Sequence, residues 1–278
     1  MLSLLVLCEK EFEGGLPAAE GYKLFAALSK RFRARGDDTL FPHAESGLQA
    51  VSLSGMLSLG SPPSEGALPT ALPDAVTLFH EKPREAPGRW CVFRVSFLSD
   101  ELGRRFFSLL GDAPLSLGKE CPFGIRDIIG PGKHELCAHA TPEVLAAKPS
   151  GTLVRLHFLS PTGFNRDGLQ ISLPLPELVF KSLLARWRRW IVPDAWPGLE
   201  DALSSVRVER FALESRAVPL KQGSVYRGCR GYTDYDFSLC GDAKGPLGIL
   251  ASFSLFAGVG YKTAQGMGQV YSELLRAE

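Results

Sequence analysis

Gly258-Val259-Gly260-Tyr261-Lys262-Thr263-Ala264-Gln265-Gly266-Met267-Gly268-Gln269-Val270 is the stretch whose context decides the architecture of this chain. It follows an apolar run of helical character, Leu247 to Phe256, and leads into the strand-like Gln269-Val270-Tyr271. The local order is therefore helix, loop, strand. Dinucleotide and nucleotide phosphate loops run strand, loop, helix, and neither G-x-G-x-x-G nor G-x-x-x-x-G-K-[ST] is present. Two readings of the glycines stay open. Adjacent amides without side chains can turn toward one point and cradle an anion, with Lys262 adding a mobile cation. Alternatively, the first glycine caps the helix and the rest soften a turn.

The elements before this loop assign it a place. Thr152 to Leu159 reads as a strand with Val154, Leu156 and Phe158 on one face and Arg155 and His157 on the other, ended by Ser160-Pro161-Thr162. Pro176 opens a helix whose apolar stripe is Val179, Phe180, Leu183, Leu184, Trp187 and Ile191. Lys181, Arg186, Arg188 and Arg189 fall to its remaining surface with no acid among them. Strand-like runs follow at Val206 to Leu213 and Val225 to Leu239, then the apolar helix, the glycine loop and a closing strand. This series is βαββαβ.

The first half of the chain carries the same series. Leu2 to Phe12 is a strand, and Leu24, Phe25, Leu28 and Phe32 recur at helical spacing with Lys23, Lys30, Arg31, Arg33 and Arg35 around them. His43 sits in the loop after this helix, before a short strand near Leu48 to Leu53. Cys91, Phe93, Val95 and Phe97 alternate onto one face of the next strand, and Ser99 caps a helix over Asp100 to Leu110. A looser segment and a strand at His134 to His139 close the unit. The expectation is an α+β chain of two tandem ferredoxin-like (βαββαβ) domains, residues 1–145 and 146–278.

Composition bounds the partners. A net charge of +1 over 278 residues means that a polyanion must be held by locally clustered cations, not by a global field. The apolar Met1 to Cys8 is too short for a membrane span, lacks a basic region before it and shows no cleavage site. The six cysteines, Cys8, Cys91, Cys121, Cys137, Cys229 and Cys240, form no CxxC pair and read as reduced, mostly buried thiols of a cytoplasmic protein. Cys121 with His134-Glu135-Leu136-Cys137-Ala138-His139 has zinc-ligand residue types but fits no common knuckle, since on a strand His134 points opposite to Cys137 and His139. No metal and no cofactor are expected.

The arrangement resembles the CRISPR-associated repeat-specific endoribonucleases of the repeat-associated RNA-binding superfamily. The resemblance rests on Phe256 to Gly268, which is similar to the family's glycine-rich signature before the last strand. It also rests on Phe158-Leu159-Ser160-Pro161-Thr162-Gly163-Phe164, on the helix from Leu173-Pro174-Leu175-Pro176 to Trp187, and on the loop of His43. It implies metal-independent cleavage of CRISPR repeat RNA, in which a 2′-hydroxyl attacks the adjacent phosphate to leave a 2′,3′-cyclic phosphate, or its opened form, and a 5′-hydroxyl. His43 matches the family's histidine position, and imidazole, with an unperturbed pKa of about 6.5, has both protonation states accessible near neutrality. Tyr22 is the expected helper, as a proton donor or by orienting His43. Some members carry a lysine where this chain has Gln49, which leaves the cation that steadies the transition state open among Lys23, Lys30 and Lys262.

RNA binding is assigned to Lys181, Arg186, Arg189 and Arg230 for phosphates, and to Gly258, Gly260, Lys262, Thr263, Gly266 and Gly268 as a backbone clamp. On this division, Gly266→Val weakens RNA binding whereas His43→Ala abolishes cleavage. The alternative reading is a non-cleaving repeat-RNA-binding subunit of a CRISPR effector complex. The partners expected are repeat RNA and other subunits of such a complex, with no membrane and with a monomer or homodimer as the assembly.

Overall fold

The computed structural model describes residues 1–17, 19–42, 48–59, 72–80, 88–118, 121–147, 151–220 and 224–277. The chain divides into two compact units: Met1–Gly47, Val51–His139 and Ala264–Gly266 form the first, and Leu48–Ala50, Ala140–Thr263 and Met267–Glu278 the second. The junction falls between His139 and Ala140, ahead of the expected boundary at 145/146. The reason is Leu145, buried in the short helix α4 (Pro142–Ala146), which packs within the second unit.

In unit 1, β1 (Leu2–Lys10) is buried along nearly its whole length, as an unbroken apolar run on a central strand should be. Helix α1 (Glu20–Ala34) follows, then the short strands β2 (Val51–Leu53) and β3 (Leu57–Ser58), helix α2 (Ala75–His80), strand β4 (Trp90–Phe97), and helix α3 (Asp100–Leu110). Strands β5 (Leu115–Ser116), β6 (Pro122–Ile129) and β7 (Ala138–His139) complete it. The antiparallel sheet runs β2-β4-β1-β6-β5, so the two inner strands are the first and third of the main four, the ferredoxin-like order.

The aromatic residues of α1 and α3 meet above the sheet. Phe32 stacks on Phe41 at 5.4 Å between ring centroids, and Phe97 lies 5.1 Å from Phe106. Ser99 caps α3 by accepting the Leu102 amide at 3.3 Å. One expectation fails. Residues 131–136 form turns, and β7 is only two residues long, pairing with the start of β1. The closing strand is instead β6, hidden in the segment read as looser because Pro122, Gly124, Arg126 and Asp127 break any alternation.

Unit 2 repeats the plan. After α4 come β8 (Gly151–Thr162), a hairpin of β9 (Phe164–Arg166) and β10 (Leu169–Ile171), helix α5 (Pro176–Trp190), the single turn α6 (Leu199–Ala202), β11 (Arg207–Pro219), β12 (Val225–Asp236), α7 (Lys244–Ala257) and β13 (Val270–Ala277). The sheet order is β11-β12-β8-β13, again with the first and third main strands inside. Strand β8 does not stop at Pro161. The proline sits where the ladder to β12 is bulged, between Phe158↔Gly231 and Thr162↔Cys229, so its missing N–H costs no pairing. Helices α5 and α7 cover one face, with Trp187 edge-on to Phe253 at 5.0 Å and Phe180 edge-on to Tyr235 at 5.4 Å.

Candidate functional site

Helix α7 has an inner face that is apolar apart from Ser254, and it ends at Gly258, whose φ of 67° and hydrogen bond to Ser254 O at 2.9 Å make it the C-terminal cap. Beyond it the loop amides are spent inside the protein. Val259 N donates to Gly268 O (2.9 Å), Gly260 N to Ser182 Oγ (3.2 Å), Tyr261 N to Gly163 O (3.1 Å), and Gly268 N to Pro161 O (3.1 Å). The glycines at 258, 260, 266 and 268 are all buried. They are required by close approach of backbone to backbone: a Cβ on Gly260 would lie 2.3 Å from Gly163 O, and one on Gly268 would lie 2.1 Å from Val259 O. Of the two readings left open, the cap and tight turn is the one adopted, and these amides are not offered to an anion.

Gly266 carries a further correction. With its neighbours Ala264 and Gln265 it belongs to unit 1, where its amide donates to Leu53 O at 3.0 Å. A Cβ on Gly21, in the first turn of α1, would stand 2.6 Å from Gly266 Cα, so Gly21 excludes a side chain, and a Cβ on Gly266 would lie in tight contact, 3.0 Å from Gly21 Cα. With φ at 95°, Gly266→Val is expected to strain the fold of unit 1, so a loss of RNA affinity in that variant would not report on RNA contact alone.

Arg186 also departs from expectation. It is 3 % exposed, and its guanidinium turns under the loop, donating to Gly260 O at 2.9 Å and Thr263 Oγ1 at 3.1 Å. Its Nε and Nη1 make no protein hydrogen bond, and burial pulls its pKa down to about 10. It braces the loop from within and does not present charge to a phosphate. The clue in the sequence is its position three residues after Leu183 and seven after Val179, on the apolar stripe. Arg188 is also withdrawn from the basic face, paired with Glu200 and donating to Ala195 O and Trp196 O at 2.9 Å each.

What remains outward is a groove of about 780 Å³ in unit 2, lined by Phe164 and Arg166 of the β9–β10 hairpin, Lys181 and Ser182 of α5, and Gly260 and Tyr261 of the loop. Of the expected RNA-binding residues it gathers Lys181 and Gly260. Lys262 follows directly, half-buried in a left-handed conformation (φ 63°), with its ammonium 5.6 Å from the Tyr261 ring centre. Sequence reasoning passed over Tyr261, whose hydroxyl accepts the Gln170 amide at 3.1 Å and whose ring lies 5.2 Å from Tyr226. Cations and an aromatic ring around a concave surface suit a nucleotide chain. Arg189 and Arg230 lie elsewhere: Arg189 is exposed beside the Trp190 ring, and Arg230 is on the sheet.

In unit 1, Tyr22 is half-buried in the first turn of α1, next to Gly21. His43 lies outside the described residues, which stop at Pro42. The chain leading to it is held firmly. Asp37 Oδ1 accepts the Thr39 and Leu40 amides at 2.9 and 3.1 Å, and Oδ2 accepts Arg105 Nε at 2.9 Å. Burial alone would raise the Asp37 pKa, but the hydrogen bonds from Arg105, Thr39 and Leu40 bring it below the usual carboxylate value. Because the folded-state pKa is depressed, the stabilisation is complete above the unfolded-state value of about 3.9 and fades as pH falls through the folded one. Asp37→Asn should therefore destabilise the chain by about 2 kcal/mol at pH 7 and much less in strong acid. A gap of the same size at both pH values would refute this account.

Arg31, counted with the basic flank of α1, instead caps the end of α3 by donating to Leu110 O at 3.0 Å. The histidines and cysteines of residues 121–139 are dispersed among other partners. His134 Nε2 lies 2.8 Å from Pro73 O, His139 Nε2 lies 3.0 Å from Asp100 Oδ2, and burial pushes the Cys137 thiol up to about 11. Among the described residues no three His, Cys, Asp or Glu side chains are arranged to hold a metal ion. No helix among them is long and apolar enough to cross a membrane.

Residues 156–270 match the family model described as CRISPR-associated endoribonuclease Cas6. The chain is 24% identical over 143 residues to the CRISPR-associated endoribonuclease Cas6 of Streptococcus thermophilus, a match covering 50% of this chain and 58% of that one. It is 30% identical over 138 residues to the protein of the same name from Mycobacterium tuberculosis, covering 46% of this chain and 41% of that one. The chain thus spans about half the length of the curated relatives it matches. In three dimensions it resembles a Cas6 product complex with a TM-score of 0.73 at 23% identity, over 98% of this chain and 99% of that chain. The family match, the curated relatives and the shared fold bear out the resemblance read from the sequence.

Proposed function

From this kinship with the Cas6 endoribonucleases we propose that the chain binds CRISPR repeat RNA and cleaves precursor transcripts into guide RNAs without a metal ion. The observation that carries the reading is the family match over residues 156–270, which contains the whole glycine loop and the helix that braces it. In the proposed reaction the ribose 2′-oxygen bonds to the adjacent phosphorus as its proton passes to a base. The bond from phosphorus to the 5′-oxygen breaks, and that oxygen takes up a proton. The products are a 2′,3′-cyclic phosphate, or its opened form, and a 5′-hydroxyl. His43 is assigned the acid–base work, with Tyr22 as proton donor or orienting group. Lys181, Tyr261 and Lys262 are assigned to the RNA chain at the groove, while Arg186 supports the loop from beneath.

A second reading, a repeat-binding subunit without cleavage, is kept by Gln49, where some members of the family carry a lysine. One experiment separates the two: purified protein, radiolabelled repeat RNA and excess EDTA. Cleavage at a single bond, abolished by a 2′-deoxy residue at that bond, is the expected outcome. Tight binding with intact RNA would replace the nuclease reading with the second one.

A further inference from the structure

The face of the unit 2 sheet turned away from α5 and α7 carries a row of rings. Residues directly opposite in an antiparallel pair project to the same side, and here Tyr232 of β12 faces His157 of β8, which faces Tyr271 of β13. The helices pack on the other side, where Val154, Leu156, Phe158 and Tyr235 are buried. The ring centres of His157 and Tyr232 are 6.2 Å apart, those of His157 and Tyr271 are 5.9 Å apart, and all three side chains are partly accessible. Beyond Tyr232, the neighbouring position on β11 is Ala212, which adds no bulk beside the ring.

The next row is ionic. Arg155 grips Asp234 through two hydrogen bonds of 2.6 and 2.8 Å and lies 4.0 Å from the Tyr232 ring centre, while Glu273 Oε2 is 3.2 Å from His157 Nε2. These contacts hold the rings at fixed angles, so little freedom is lost when a planar partner docks. Arg210, opposite Asp234, and Arg230, opposite Glu214, occupy the same face on either side of the Tyr232 row.

We infer that this row is a stacking platform for unpaired bases of RNA, with Tyr232, His157 and Tyr271 each taking the face of a base and Arg210 and Arg230 taking flanking phosphates. The chemistry is that of sequence-tolerant single-strand binding: π-faces in series beside guanidinium groups. The inference rests on the RNA-binding reading above but concerns a surface other than the groove of the glycine loop. It gives Arg230, which does not line that groove, a place in RNA binding.

The test uses the full chain, a fluorescein-labelled ten-residue oligouridine as the unstructured probe, and the complete repeat RNA as the reference. The double variant Tyr232→Ala/Tyr271→Ala should bind the oligouridine at least about tenfold more weakly, whereas Tyr232→Phe/Tyr271→Phe should stay within about twofold of the parent, because phenyl rings still stack. A 5-iodouridine oligomer photocrosslinked to the unaltered protein should label β8, β12 or β13, which needs no variant to fold. Equal binding by the alanine and phenylalanine variants, or crosslinks confined to the glycine-loop groove, would overturn the platform. Binding of repeat RNA without any binding of oligouridine would overturn it too, leaving the RNA-binding reading intact. Failure to bind either RNA would overturn both.

Discussion

His43→Ala is expected to slow repeat-RNA cleavage by about 10²- to 10⁴-fold, the range for removing a general acid–base group, with repeat affinity unchanged. The separation follows from the proposed division of labour. An imidazole that moves a proton acts only as the bond changes, whereas the groove cations act on bound RNA whether or not it reacts. The segment entering the His43 loop is anchored by Phe41, 1 % exposed and packed 5.9 Å from Phe25 and 5.4 Å from Phe32. Removing the imidazole therefore leaves this anchor in place. Single-turnover cleavage rates beside filter-binding affinities make the measurement. Undiminished cleavage would remove His43 from the mechanism, and a parallel loss of affinity would make it a binding residue instead.

The largest effect on folding is expected at Gly268. A side chain there must adopt a φ of 65° and meet Val259 O at 2.1 Å, and the obstacle is backbone that is itself hydrogen-bonded to Gly268 O. Left-handed strain and an overlap that cannot relax together cost about 3 kcal/mol or more, which at this size lowers the unfolding midpoint by about 10 °C. Gly168→Ala is the internal control. Its φ is 80°, but nothing lies within 4 Å of the added Cβ, so only the conformational strain of about 1 kcal/mol applies. Thermal unfolding of the two variants followed by circular dichroism compares them directly. Equal midpoints would show that the loop accommodates a side chain and that the close approach does not govern this position.

The amphipathic helices were legible because their faces repeat every three to four residues. The stripes Leu24, Phe25, Leu28, Phe32 and Val179, Phe180, Leu183, Leu184, Trp187 are buried as read, and the order of elements around them sufficed for two βαββαβ units. Strand β6 was not legible, since its half-buried pattern follows its neighbours β1 and β5 and not an alternation of its own.

The glycine loop divides the same way. Its composition and its place between the last helix and the last strand are properties of the sequence, as is the family likeness that they carry. Only the tertiary structure decided that the loop amides bond to Gly163, Pro161 and Ser182, elements distant along the chain, and that Arg186 lies beneath them. An arginine followed closely by Arg188 and Arg189 on a helix reads as solvated charge, even where its spacing sets it on the apolar stripe. Its burial depends on two acceptors, Gly260 O and Thr263 Oγ1, that lie more than seventy residues later and reach it only when the helix and loop have packed. The cross-strand row of Tyr232, His157 and Tyr271 is likewise set by register between strands, a quantity that local periodicity does not contain.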